Sequence, residues 1–127
     1  MLPPEDEAFL SAKVPGYQIH QEDNTVCVVF LAVKLPAGYS HAAVDVLVKL
    51  SALYPDIAPD MWWVDPPLTL QSGVALPATD VMEAIVGRQW QRWSRHFSGD
   101  QWRAGTDNLR SYLALIRSTF EAAAGGS

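Results

Sequence analysis

The segment over residues 106–123 restricts the fold of this chain more than any other. Its apolar residues recur at the helical spacing i, i+3, i+4, i+7 and i+11, as Leu109, Tyr112, Leu113, Ile116 and Phe120. This spacing predicts one apolar face on an α-helix, and Thr106 or Asp107 can cap its start. Such a face needs a second apolar layer to cover it. The strands upstream are the candidates for that layer.

Four segments upstream show the alternation or the β-branched composition of strands: residues 17–22, 25–33, 44–50 and 61–64. In the third of these, Asp45 and Lys49 point away from the apolar set, which indicates an antiparallel meander with one covered face. Residues 4–13 are predicted to form an N-terminal helix, because proline and acids suit its first turn. The acids there, including Asp6, are interpreted as a helix-start feature.

Residues 79–86 are predicted to form a short inserted helix, capped by Thr79 and ended by Gly87. The predicted fold is therefore α+β: an N-terminal helix, a four-stranded antiparallel meander, the inserted helix and a C-terminal amphipathic helix. The chain of 127 residues has the size of one domain. We expect residues 1–127 to form that single domain, with residues 124–127 as a flexible tail.

Composition restricts the class of function. The formal net charge is −5, and no run of Lys or Arg is present, which argues against binding of nucleic acid or of an anionic membrane surface. No apolar run reaches the roughly 18 residues of a spanning helix, and the acidic start is unlike a signal peptide. We expect a soluble cytoplasmic protein with protein partners. The single cysteine, Cys27, lies in a strand pattern and is predicted to be buried and inert.

Tryptophans are dense in the second half of the chain. Trp90, Trp93 and Trp102 are expected to pack together beneath the segment that follows residue 93. Trp62 and Trp63 are adjacent in a predicted strand, so their side chains should point to opposite faces. One of that pair is then a candidate for an exposed position at a protein interface.

Three separated pieces of the sequence together resemble the ubiquitin-conjugating (UBC) fold. The Tyr-Pro-x-x-x-Pro pattern of that family matches residues 54–59, and an aromatic strand follows at residues 61–64. A tryptophan, a short turn and an amphipathic helix close the pattern, here from Trp102 onward. The resemblance covers most of the chain, from about residue 5 to residue 123. It implies the UBC-like α+β fold and the chemistry of that family.

The resemblance also points to one residue. The catalytic cysteine of the family lies about eight residues before the tryptophan, and the corresponding position here is Ser94. The run Trp93-Ser94-Arg95-His96 is similar to a segment of the divergent bacterial branch, whose members are associated with ubiquitin-like proteins and an activating enzyme. The His-Pro-Asn of the family has no match, because the fourth strand is followed by Asp65-Pro66-Pro67. The oxyanion donor is therefore unassigned, with Gln89, Gln91 and backbone N–H groups as alternatives.

The chemistry that the resemblance implies is acyl transfer, with Ser94 forming an oxyester. A serine hydroxyl needs a base, and His96 stands two residues away, with an imidazole that can accept a proton near neutral pH. Arg92 or Arg95 could orient the incoming chain end or complement the developing oxyanion. Trp93 and Trp102 would support the segment.

The resulting hypothesis is a carrier that accepts a ubiquitin-like protein from an activating enzyme and transfers it to a protein target. No metal or small cofactor is implied, since ATP would be used by the activating enzyme. Two alternatives remain open at this point. One is a catalytically inactive UBC-like scaffold that binds a ubiquitin-like protein or an activating enzyme, and the other is an unrelated α+β binding domain.

Overall fold

Two helices pack against one curled antiparallel sheet in the computed structural model, which describes residues 2–96 and 101–125. The elements in chain order are α1 (Pro4–Lys13), β1 (Gln18–Glu22), β2 (Thr25–Lys34), β3 (Ala43–Leu50), β4 (Trp62–Asp65), β5 (Val81–Ile85), β6 (Arg88–Trp93) and α2 (Leu109–Gly125). The strands form one sheet in the order β1-β2-β3-β4-β6-β5. The α+β class, the N-terminal helix over residues 4–13 and the meander β1 to β4 are confirmed.

The prediction of an inserted helix over residues 79–86 is wrong. Residues 81–93 form a hairpin instead, with β5 and β6 paired in register from Val81↔Arg92 to Ile85↔Arg88. Val86 and Gly87 make its tight turn with φ values of 44° and 78°. A short apolar run is compatible with either helix or strand. Pairing of β6 with β4 selects the strand, and the sheet therefore has six strands rather than four.

The face of the sheet that meets the helices holds an aromatic core. Trp62 and Trp93 are partners across β4 and β6, and their rings stack with centroids 6.2 Å apart. Phe120 of α2 meets Trp93 edge-on at 5.0 Å, which is a favourable arrangement for aromatic rings. The predicted apolar stripe of α2 is confirmed, because all five of its residues are buried: Leu109, Tyr112, Leu113, Ile116 and Phe120.

The outer face of the sheet carries a second buried cluster: Cys27, Val29, Leu47, Trp63, Ile85 and Trp90. Cations cover it, with Lys49 Nζ 4.9 Å from the centre of the Trp63 ring and Arg88 4.4 Å from that of Trp90. Long charged side chains can cover apolar surface in this way while their heads stay in water. The helices cover one face, as expected, but the other face is not simply polar, since this cluster is buried on it.

Two expectations about tryptophans change with that second cluster. Trp62 and Trp63 do point to opposite faces, but both are buried, so neither is an exposed contact residue. Trp90 lies on the outer face, whereas Trp93 lies in the core beneath α2. The predicted grouping of three tryptophans is therefore wrong, since β6 sends Trp90 and Trp93 to opposite sides. Burial of Cys27 is confirmed, and it raises the pKa of that thiol.

Helix α2 begins slightly later than its sequence pattern predicted. Asn108 caps it, accepting a hydrogen bond from the Ser111 N–H at 3.0 Å. Neither Thr106 nor Asp107 takes that position. At the other end α2 extends through Gly125, so the first two residues of the predicted tail are helical. Within the described part of the chain, neither helix has the length and hydropathy needed to cross a bilayer.

Candidate functional site

The turn over residues 54–60 joins β3 to β4, and its first residue is fixed by a buried carboxylate. Tyr54 donates its hydroxyl to Asp6 Oδ2 at 2.6 Å, and the Leu109 N–H donates to Asp6 Oδ1 at 3.0 Å. Asp6 is 1% exposed, so it joins α1, the turn and the start of α2. Burial and the bond to Asp6 raise the pKa of Tyr54 above its ordinary value. The interpretation of Asp6 as a helix-start acid alone is therefore wrong.

Trp102 meets the same turn from the other side. Its indole N–H donates to the Pro55 carbonyl at 2.8 Å, and its ring lies 6.1 Å from that of Tyr54 and 6.4 Å from that of Tyr112. Two of the separated sequence pieces, the Tyr-Pro turn and the tryptophan before α2, are thus in direct contact. Trp102 supports the turn and α2.

Ser94 follows directly after β6. Its N–H donates to the Ala78 carbonyl at 3.1 Å, and the next residue continues the strand pairing, since the Met61 N–H donates to the Arg95 carbonyl at 3.0 Å. Successive residues of an extended segment face opposite sides. Because Trp93 enters the core, Ser94 faces away from it, and its side chain is partly buried.

His96 pairs with an aspartate that the sequence pattern did not single out. Its Nδ1 lies 2.7 Å from Asp60 Oδ1, and the two side chains are 61% and 55% exposed. Asp60 is the last residue of the turn over residues 54–60 and stands 36 positions from His96. Only the pairing of β4 with β6 brings them together. Across residues 2–96 and 101–125, no hydrogen bond joins Ser94 to His96.

The two arginines predicted to support the site occupy different places. Arg95 lies over the Trp93 ring, 4.9 Å from its centre, and donates to the Pro77 carbonyl at 3.0 Å. Burial lowers the pKa of Arg95. Arg92 instead forms an ion pair with Glu83 of β5 at 3.0 Å. Arg95 is therefore beside His96, whereas Arg92 serves the outer face of the hairpin.

A groove of about 220 Å³ opens beside the His96 ring. It runs between the segment after β6 and the partly open side of α2, and both apolar and polar side chains form its walls. The lining residues are Trp62, Arg95, His96, Gln101, Tyr112, Leu115 and Thr119. Its size suits one or two side chains or a short extended chain end. The structure thus places a histidine–carboxylate pair at the edge of a groove, two residues beyond Ser94.

Gln91, an alternative for the oxyanion donor, is held elsewhere by three hydrogen bonds. Its carbonyl accepts from the Leu68 N–H at 2.9 Å and from the Trp93 indole at 3.0 Å, and its amide donates to the Leu68 carbonyl at 3.0 Å. Asp65 lies at the end of β4 remote from Ser94, because Trp62 is the β4 residue that pairs with Trp93. No cluster able to hold a metal ion occurs among the described residues.

Comparison with known proteins gives one family. The family model described as "Prokaryotic E2 family E" matches residues 2–123, which is nearly the whole chain. No curated protein and no solved structure gives a match. The match includes the Tyr-Pro turn, Ser94, His96 and most of α2.

Proposed function

The chain belongs to prokaryotic E2 family E, and from this premise we propose that it carries a ubiquitin-like protein as an oxyester on Ser94. Family membership suggests a role in ubiquitin-like conjugation. The observation that supports the serine chemistry is the Asp60–His96 pair, held at the edge of a groove two residues beyond Ser94. The partners are a ubiquitin-like protein, an activating enzyme that uses ATP, and a protein target.

In this mechanism His96 is the base and Asp60 orients it. The Asp60 carboxylate favours the tautomer with a proton on His96 Nδ1, which leaves the Nε2 lone pair free. Ser94 Oγ attacks the activated carbonyl carbon of the terminal glycine and gives its proton to Nε2. The Oγ–C bond forms, the bond to the activating enzyme's leaving group breaks, and Nε2 returns the proton to that group.

The transfer step reverses these roles. A nucleophile on the target attacks the same carbonyl carbon, the Oγ–C bond breaks, and Ser94 recovers its proton through His96. His96 is 61% exposed, so its ring has room to turn toward Ser94 when the chain end occupies the groove. Catalytic hydrogen bonds commonly tighten only in the substrate complex. Arg95, beside the groove, supplies positive charge for the developing oxyanion.

One observation favours a second candidate function. His96 is bonded to Asp60, and among the described residues it makes no bond to Ser94. A chain that serves only as a scaffold would keep this arrangement, with Ser94 inert. It would bind the ubiquitin-like protein or the activating enzyme without forming a covalent bond.

An adduct assay separates the two functions. The chain is incubated with the ubiquitin-like protein and activating enzyme of the same genome and ATP, and the products are separated with and without reductant and mild base. We expect an adduct that survives reductant, is cleaved by base and is absent in Ser94→Ala. Ser94→Cys should give a reductant-sensitive adduct instead.

The scaffold function has a distinct signature in the same assay. Wild type would then form no adduct while still binding one of the two proteins noncovalently, and Ser94→Ala would bind as wild type does. An adduct that persists in Ser94→Ala would remove Ser94 from the mechanism altogether.

A further inference from the structure

Among the residues that the structure describes, a cluster of unpaired cations lies on one surface of a protein that carries a net charge of −5. Lys49, Arg88 and Arg92 are all paired with carboxylates. By contrast, five exposed cations make no ion pair within residues 2–96 and 101–125, and three of them, Lys13, Lys34 and Arg117, lie on one surface. An acidic protein has enough carboxylates to neutralise such groups. The grouping of three such cations around one groove therefore needs an explanation.

These three cations surround one groove of about 410 Å³. It lies between the end of α1, the end of β2 and the middle of α2. Lys13, Lys34 and Arg117 contribute to its walls, and its apolar lining includes Phe30 and Leu113. Lys34 and Arg117 also line an adjoining hollow, together with the carboxylate of Glu121. The surface combines an apolar floor with a mostly cationic rim.

A β-bulge shapes this groove. The pairing of β2 with β3 shifts register between Phe30 and Val33, and Ala32 adopts a φ of 52° within the shift. The Ala32 N–H is satisfied by Asp45 Oδ1 at 2.9 Å, so the irregular backbone is stably held. Bulges of this kind redirect the side chains that follow them. Lys34 is the strand residue just beyond the bulge.

The groove is remote from Ser94 along the strands. Lys34 pairs with Ala43 at the start of β3, whereas β4 and β6 approach Ser94 at the opposite end, where Trp62 pairs with Trp93. An occupant here would therefore not contact Ser94 or His96. The groove is a separate surface, independent of the acyl chemistry proposed above.

We propose that this groove docks an acidic segment of a protein partner. An apolar side chain of the segment would lie on the floor, and its flanking carboxylates would pair with Lys13, Lys34 and Arg117. Charge complementarity of this kind favours one class of partner and speeds its association. A nucleic acid fits less well, because three cations give few phosphate contacts and the rest of the protein repels a polyanion.

The test uses a fluorescein-labelled decapeptide with one central Leu flanked by Glu and Asp. A control peptide replaces every acid with its amide. Fluorescence anisotropy measures binding to wild type, to the double variant Lys34→Gln/Arg117→Gln and to the single variants Arg117→Gln and Arg103→Gln. Arg103 is exposed and lies outside the groove, so a matched single comparison of Arg117→Gln with Arg103→Gln removes the same charge.

The expected result is saturable binding of the acidic peptide, about tenfold tighter than binding of the amide peptide. The double variant should lose about tenfold in affinity, Arg117→Gln about threefold and Arg103→Gln less than about twofold, and added salt should weaken binding. Ser94→Ala should bind as wild type does, which separates this surface from the proposed catalysis. Absent binding, equal affinity for both peptides, an equal loss in Arg103→Gln, or tighter binding of a single-stranded oligonucleotide would overturn the proposal.

Discussion

An aspartate acts at each end of the turn over residues 54–60: Asp6 binds its first residue, and Asp60 is its last residue. Their hydrogen bonds have similar lengths, but their exposure to solvent differs. Asp6 accepts from Tyr54 at 2.6 Å and is 1% exposed. Asp60 lies 2.7 Å from His96 with its side chain 55% exposed. One carboxylate is sealed among α1, the turn and α2, and the other stands in solvent beside a groove.

The difference in exposure indicates that one aspartate contributes to stability and the other is available for chemistry. A buried carboxylate with two donors is costly to disturb, because any group left unpaired there has no water to bind. An exposed pair contributes little to stability but is accessible to a substrate. The Tyr-Pro turn therefore has one end that holds the fold and one end that is available for catalysis.

Removal of the buried aspartate should have the largest effect on stability. Asp6→Ala leaves the Tyr54 hydroxyl and the Leu109 N–H without their acceptor, and we expect a loss of about 3 kcal/mol in the free energy of unfolding. Chemical denaturation measures it. Glu7→Ala removes an exposed acid from the same helix and should change stability by less than about 0.5 kcal/mol. Equal losses in the two variants would contradict the role given to Asp6.

Removal of the exposed aspartate should lower the rate of adduct formation strongly and stability only slightly. Asp60→Asn takes away the carboxylate that orients His96, and we expect the rate of adduct formation to fall about a hundredfold. Stability should change by less than about 1 kcal/mol, because the pair is exposed. Initial rates in the adduct assay and denaturation of the same variant test both statements. An unchanged rate would show that Asp60 has no part in the chemistry.

Much of the fold could be predicted because its signals are local. The acids and proline of α1, and the apolar spacing of α2, fix both helices within a few residues. The helix predicted over residues 79–86 is wrong, since a stretch of about eight residues contains too few turns to distinguish the two periods. The pairing of β6 with β4 determines that this stretch is a strand. A short-range sequence pattern cannot predict that pairing.

The residues of the candidate site also differ in whether the sequence alone could predict them. Ser94, His96 and Trp102 could be picked out because they lie within one short segment of the sequence. Asp60 could not, since its contact with His96 depends on two strands being neighbours in space. The buried role of Asp6 is equally long-range, because its partner Leu109 lies 103 positions away.

Removal of the Tyr54 hydroxyl, which donates a hydrogen bond to Asp6, should have a smaller effect on stability. Tyr54→Phe removes one donor but leaves the Leu109 N–H in place, so we expect a loss of about 1.5 kcal/mol near neutral pH. The pKa of Tyr54 is raised in the folded state, so its contribution is complete below about pH 10 and is lost as the pH rises further. The difference in the free energy of unfolding between wild type and Tyr54→Phe should therefore decrease above about pH 10. A gap that stays constant in alkaline denaturation would contradict this.

The smallest expected loss of stability concerns the turn of the β5–β6 hairpin, which leads to Ser94. Gly87 has a φ of 78°, and a β-carbon added there would meet nothing within 4 Å. Gly87→Ala should therefore cost only the backbone strain of a positive φ, about 1 kcal/mol. Gly125→Ala, at the open end of α2, is the control and should be neutral or slightly stabilising. Adduct formation should remain at the wild-type level in Gly87→Ala once the protein is folded. A large loss of adduct with little loss of stability would mean that the hairpin turn, and not only the segment after β6, takes part in the site.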